Sequence, residues 1–150
     1  MPPQRAPKPT KSESPKTNAS EIESGFFVGG WKDAESFQGT RFCVLDEAPP
    51  DMPPATHVPI YDDTKHQPII ANLDRLANLM RAARARNEPV LVFCGHGVRR
   101  APLAGAWYLH RTEGLSLDES FERVQAVRPG IEHVKDWAKG WKVLSDAKTA

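Results

Sequence analysis

The sequence predicts an α/β domain in which a mainly parallel central sheet is flanked by helices. Two observations carry that expectation. Val90-Leu91-Val92-Phe93 is a continuous apolar run of strand length, the pattern of a central strand covered on both faces. Around it, short β-type segments are followed by stretches of helical apolar spacing long enough to cover a sheet.

In chain order, residues 1–20 (MPPQRAPKPTKSESPKTNAS) hold five of the 14 prolines, four basic residues and one acid. They contain too little apolar surface to offset chain entropy, so a disordered tail is expected there, with residues 21–150 as a single domain. Phe26-Phe27-Val28 before Gly29-Gly30 predicts a short strand closed by a turn. Arg41–Asp46 (RFCVLD) predicts a second strand. A loop with four prolines follows, EAPPDMPPA, and then an extended piece over Thr56–Tyr61. Pro68–Arg86 predicts a helix: Ile69, Ile70, Leu73, Leu76, Ala77 and Met80 share a face, the arginines lie mostly off it, and Pro68 suits the first turn. After the Pro89–Phe93 strand a helix opens near Pro102 and runs through Leu103, Trp107 and Leu109 to Gly114, a left-handed cap. Ser116 and Glu119 fit a capping box for a helix ending at Val127. Arg128-Pro129-Gly130 breaks it. The last helix is expected over His133–Ser145, with Val134, Trp137, Trp141 and Leu144 on one face.

The 150 residues are room for one such domain and a tail, with a core that covers roughly 70% of the unfolded surface. A net charge of +1 gives no electrostatic basis for a dedicated polyanion binder, so nucleic acid is expected only as a phosphorylated substrate. Two cysteines exclude a disulfide scaffold and a four-thiolate zinc site. No apolar run approaches the ~18 residues of a membrane span, and none makes a signal-peptide core, so a cytoplasmic monomer with reduced thiols is expected. His57, His66, His96, His110 and His133 show no ligand spacing, and neither metal nor cofactor is expected.

The chemistry concentrates in VLVFCGHGVRRAPLAGAWYL, residues 90–109. Cys94 ends the central strand, Arg100 follows six residues later, and a helix opens there. In such a strand–loop–helix the backbone amides of residues 95–100 can form a nest for an anion, and the helix N-terminus adds its positive dipole end. Gly95 and Gly97 permit the tight path. Arg100 offers a bidentate fork to two phosphoryl oxygens. The same field favours the thiolate of Cys94, the nucleophilic form.

These residues resemble a small dual-specificity phosphatase of the protein tyrosine phosphatase superfamily, over residues 22–146. The family's loop Cys-x-x-Gly-x-x-Arg reads here Cys94-Gly95-His96-Gly97-Val98-Arg99-Arg100. FFVGGWKDAESF is similar to the family's leader strand and short helix, CVLDEA to its next strand, and AVRPGI to the Arg-Pro segment after the loop helix. The resemblance implies a cysteine-phosphatase three-layer fold, with Cys94 as nucleophile and Gly95, His96, Gly97, Val98, Arg99 and Arg100 binding phosphate. It also implies a general-acid aspartate about thirty residues before the cysteine. Asp62 and Asp63 lie 32 and 31 residues before Cys94, and spacing favours Asp62. Some members pair the catalytic thiol with a second cysteine, which would make Cys43 a redox partner.

Two positions depart from the family pattern. Phe93 stands where histidine is usual, and Ala101 where Ser or Thr assists loss of the thiolate; Arg-Ala-Pro resembles the phosphatases of regenerating liver and implies a slow second step. His96-Gly97 is similar to the loops of RNA 5′-triphosphatases, and Arg99 adds charge at the rim. The activity implied is hydrolysis of phosphotyrosine or related phosphomonoesters, on phosphoproteins or small phosphoesters, through a phosphocysteine. The alternatives are a slow or inactive phosphate-binding module, an RNA 5′-phosphatase or phosphoinositide phosphatase of the same superfamily, and a rhodanese-like sulfurtransferase.

Overall fold

The computed structural model describes residues 19–136 and 140–147. Its centre is a five-stranded sheet containing β1 (Ser20–Glu23), β2 (Phe26–Gly29), β3 (Thr40–Cys43), β4 (Thr56–His57) and β7 (Val90–Phe93). The strand order is β1-β2-β7-β3-β4, and a separate hairpin is formed by β5 (Tyr61–Asp62) and β6 (Gln67–Pro68). Only β1–β2 is antiparallel within the sheet; β2, β7, β3 and β4 run parallel to one another. The expected α/β class and mainly parallel sheet are therefore observed.

β7 is central because its four side chains are apolar and all are buried. Alternation sends them to two cores. Val90 and Val92 join a large cluster under α2 (Ile70–Ala85), α3 (Arg100–Glu113), α4 (Leu117–Val127) and α5 (Gly140–Ala147). Leu91 and Phe93 face the other side, with Phe27, Cys43 and residues Ala34 and Phe37 of and beside the short α1 (Trp31–Ser36). A helix layer thus lies on each face of the sheet. Trp107 bridges the larger layer, donating from Nε1 to Asp74 Oδ1 at 2.7 Å.

Several boundaries differ from expectation, each for a local reason. Ser20 pairs with Val28, so the domain reaches into the end of the segment expected as a tail; residues 1–18 lie outside the described residues. The second strand stops at Cys43, which leaves Val44–Asp46 to lead out of the sheet. Thr56–Tyr61 is divided between β4 and β5, with Pro59, which has no N–H to give a ladder, between them. Pro68 lies in β6 opposite Tyr61 and not in the helix, whose N-cap is Ile69. Gly114 caps α3 at φ 72°, and Ser116 and Glu119 close the expected capping box. The last expected helix is a 3-10 turn at Val134–Asp136 followed by α5; Trp137 lies outside the described residues.

Candidate active site

The site lies where β7 runs into α3. The strand delivers Cys94, 5% exposed, into the larger core. Its Sγ accepts a hydrogen bond from Ala101 N–H, in the first turn of α3, at 3.4 Å. The thiol therefore sits against the positive end of a 14-residue helix.

The carbonyls of residues 95–98 are all held from outside. Trp31 N–H donates to Gly95 O at 2.9 Å, and Glu132 N–H to Val98 O at 2.8 Å. Arg128 donates to Gly97 O at 2.8 Å and His96 O at 3.2 Å. A trans peptide sets its N–H opposite its C=O, so the amides of His96, Gly97, Val98 and Arg99 turn to the other side of the loop. Gly97 has φ +70°, and a Cβ there would stand 2.7 Å from the backbone of Gly29. Gly95 needs no such exemption, since a Cβ on it meets nothing within 4 Å. The glycine that seats the loop from below is Gly30, where a Cβ would lie 2.8 Å from Gly95 O. A cavity of about 420 Å³ opens over this loop, lined by Cys94, Gly95, His96, Val98, Arg99 and Arg100 together with Leu45 and Glu132.

Arg100 reaches back to the β5–β6 hairpin. Its Nη2 donates to Asp63 Oδ1 at 2.8 Å and Oδ2 at 3.0 Å, and its guanidinium lies 5.8 Å from the Tyr61 ring centre. Asp46 Oδ1 is 3.5 Å from the same Nη2. Asp62, favoured by spacing, does other work: its Oδ1 accepts from Thr64 N–H (2.8 Å) and Lys65 N–H (3.0 Å) and so shapes the turn. Contact with Asp46, helped by Arg100, holds the Asp63 carboxyl below the usual carboxylate range. Burial and the contact with Asp63 push Asp46 up, against the pull of Arg100.

The remaining expected residues divide. Arg99 is at the rim, its Nε 3.0 Å from Glu132 Oε1. Phe93 points away from the cavity and packs edge-on to Trp31. Cys43 and Cys94 are both free thiols, Cys43 in the smaller cluster and Cys94 in the larger one across the sheet. Burial pushes the Cys43 thiol up. His57 Nε2 lies 2.6 Å from Leu45 O and His110 Nδ1 2.7 Å from Leu115 O, while His133 stacks on Phe121. Asp46, Gly30, Arg128 and Glu132 were not singled out for the site from sequence. Arg128, Asp46 and Gly30 carried a signal, their places in the segments AVRPGI, CVLDEA and FFVGGWKDAESF; Glu132 carried none, because its partners are distant in the chain.

The model of the dual specificity phosphatase catalytic domain matches residues 49–139. Mouse dual specificity phosphatase 28 is 32% identical over 83 residues, 55% of this chain and 50% of that protein. Human dual specificity protein phosphatase 16 is 33% identical over 85 residues, 55% of this chain and 13% of its own length. The chain thus spans half or less of these curated relatives. The crystal structure of human DUSP28 aligns with a TM-score of 0.64 at 25% identity, covering 76% of this chain and 83% of that one. Tk-PTP in its active form shares the fold, with a TM-score of 0.67 at 21% identity over 87% and 96% of the two chains.

Proposed function

Because this chain belongs to the dual specificity phosphatase catalytic-domain family, we propose that it hydrolyses phosphotyrosine or related phosphomonoesters through a phosphocysteine at Cys94. The observation that carries this reading is the seating of Cys94 Sγ on the Ala101 amide, beside a loop whose carbonyls are all drawn outward. A phosphoryl group above the thiol meets the inward amides and Arg100, which stabilise the charge spread over its equatorial oxygens. The Cys94 S–P bond forms as the ester P–O bond breaks. Water then attacks phosphorus, releasing phosphate and the thiolate.

The leaving oxygen needs a proton, and the water must lose one. We assign both transfers to Asp63, the carboxyl that reaches Arg100. Asp62 builds the turn that presents it. When phosphate takes over Arg100, Asp63 exchanges a cationic neighbour for an anionic one, and its carboxyl rises toward protonation. The pairing of Arg99 with Glu132 supports substrates with a single phosphate at this site over polyphosphates.

A second reading has one observation behind it. Ala101 is wholly buried against Cys94 and carries no hydroxyl to help expel the thiolate, which favours a protein that captures phosphate and releases it slowly. An aryl phosphate assay separates the two. Steady turnover, abolished by Cys94→Ser and lowered about a hundredfold by Asp63→Asn, is expected for the enzyme, with Asp62→Asn losing less. One stoichiometric burst followed by silence identifies the trap. Turnover that survives Cys94→Ser sinks both.

A further inference from the structure

We propose that Asp46 is a positioning residue that shares one proton with Asp63 and returns it to that carboxyl when phosphate reaches Arg100. This rests on the phosphatase reading of the site and adds a residue to it. Asp46 follows Leu45, which lines the cavity, in the loop that leaves β3. Both carboxyls converge on one nitrogen: Arg100 Nη2 lies 2.8 and 3.0 Å from the oxygens of Asp63 and 3.5 Å from Asp46 Oδ1. Asp46 Oδ1 is left as a fully buried oxygen with no hydrogen bond among the described residues.

An ionised carboxylate only accepts hydrogen bonds, and a buried oxygen without a donor is costly even where, as in Asp46, the side chain as a whole is 36% exposed. Two carboxyls so placed are satisfied together when one proton lies between them. Asp46 is the more buried partner, and the opposite shifts of the two groups agree with the proton residing there while Asp63 rests on Arg100. The charged groups facing the pair are Arg100 from α3, Glu47 beside Asp46, and His66 beside Asp63, with Tyr61 beneath the guanidinium.

The proton balance is simple. In the empty site Asp46 is the acid and Asp63 the carboxylate. As a phosphate dianion takes the guanidinium, Asp63 becomes the stronger base, and the proton passes from Asp46 to Asp63. Asp63 then gives it to the leaving oxygen while the S–P bond forms, and Asp46 stays as an anion at the flank of Arg100.

Asp46→Asn keeps the shape and removes the stored proton. The expected result is a loss of kcat/KM about tenfold greater on phenyl phosphate, whose leaving oxygen needs a proton, than on 4-nitrophenyl phosphate. The basic limb of the pH profile should also move to lower pH, and Asp46→Glu should restore part of both. Equal change on the two esters with an unmoved limb would overturn the proposal, because a merely structural residue behaves that way. A titration without turnover decides the same point if the protein proves to be a trap. In Cys94→Ser protein carrying ¹³C-labelled aspartate, the Asp46 and Asp63 carboxyl signals should titrate as a coupled pair. Added inorganic phosphate should move the proton to Asp63. Two independent single-step titrations would refute the shared proton. Absence of turnover in the wild-type protein would count against the function and leave the titration to judge Asp46.

Discussion

Gly97 shows what the site asks of a single residue. At φ +70° a side chain is strained, and its Cβ would meet Arg128 Nη2 at 2.5 Å and the Gly29 backbone at 2.7 Å. Gly97→Ala is expected to lower stability by about 1–3 kcal/mol and to weaken inorganic phosphate binding, read by denaturant unfolding and calorimetry. Arg128 holds the same loop from outside, spanning Gly97 O, His96 O, Ser20 Oγ and Val28 O. Arg128→Ala strands these acceptors, so the thermal midpoint and phosphate affinity should fall together, with Arg128→Lys intermediate. The residues legible in sequence were those tied together by one short loop: Cys94, Gly97 and Arg100 sit at spacings fixed by a single strand–loop–helix. Asp46, Glu132 and Gly30 act from other loops, and nothing in their local sequence names their partner. Spacing favours Asp62 over its neighbour, but Asp63 is the one that reaches Arg100, because the hairpin uses Asp62 in its own turn.

At the scale of elements, the strong local signals were β7, α3 and the caps. An apolar run buried on both faces can scarcely be anything but a central strand. Ser116 and Glu119 exchange hydrogen bonds at 3.0 and 2.9 Å, as their spacing required. Ser116→Ala is expected to cost about 1 kcal/mol without changing kcat, since α4 begins far from the loop it later helps to hold; chemical denaturation checks the first and steady-state kinetics the second. Short elements were less legible. β4, β5 and β6 have two residues each, too few for a period to appear, and their pairing is set by neighbours. β1 was hidden because SEIE has no strand-type pattern; it is ordered through its ladder with β2.

Across the whole molecule, a second charged cluster ties the sheet to the far end of α3, about 20 Å along the helix from Cys94. Arg84 donates to Glu23 at 2.8 Å and to Ser24 O at 2.8 Å, and Arg123 lies 3.4 Å from Glu23 and 4.0 Å from Glu113. Contact with Glu23, added to burial, raises the Glu113 carboxyl from 4.5 to about 7. The folded protein then binds this proton more tightly than the unfolded chain, so this contribution to stability is full below 4.5 and is lost as pH rises through about 7. Thermal melts should show the midpoint falling across that window, and Glu113→Gln should remove this component. The cluster's distance from the loop leaves turnover per folded molecule unaffected.

The proposed reaction turns on Cys94 carrying the phosphoryl group. Rapid quenching of the protein with an aryl phosphate, followed by peptide mapping in the mass spectrometer, tests it directly. The expected result is a single phosphoryl adduct on the Cys94 peptide, formed as the aryl alcohol is released and absent from Cys94→Ser. Release of the alcohol with no adduct on Cys94 at any quench time, and undiminished in Cys94→Ser, would contradict it.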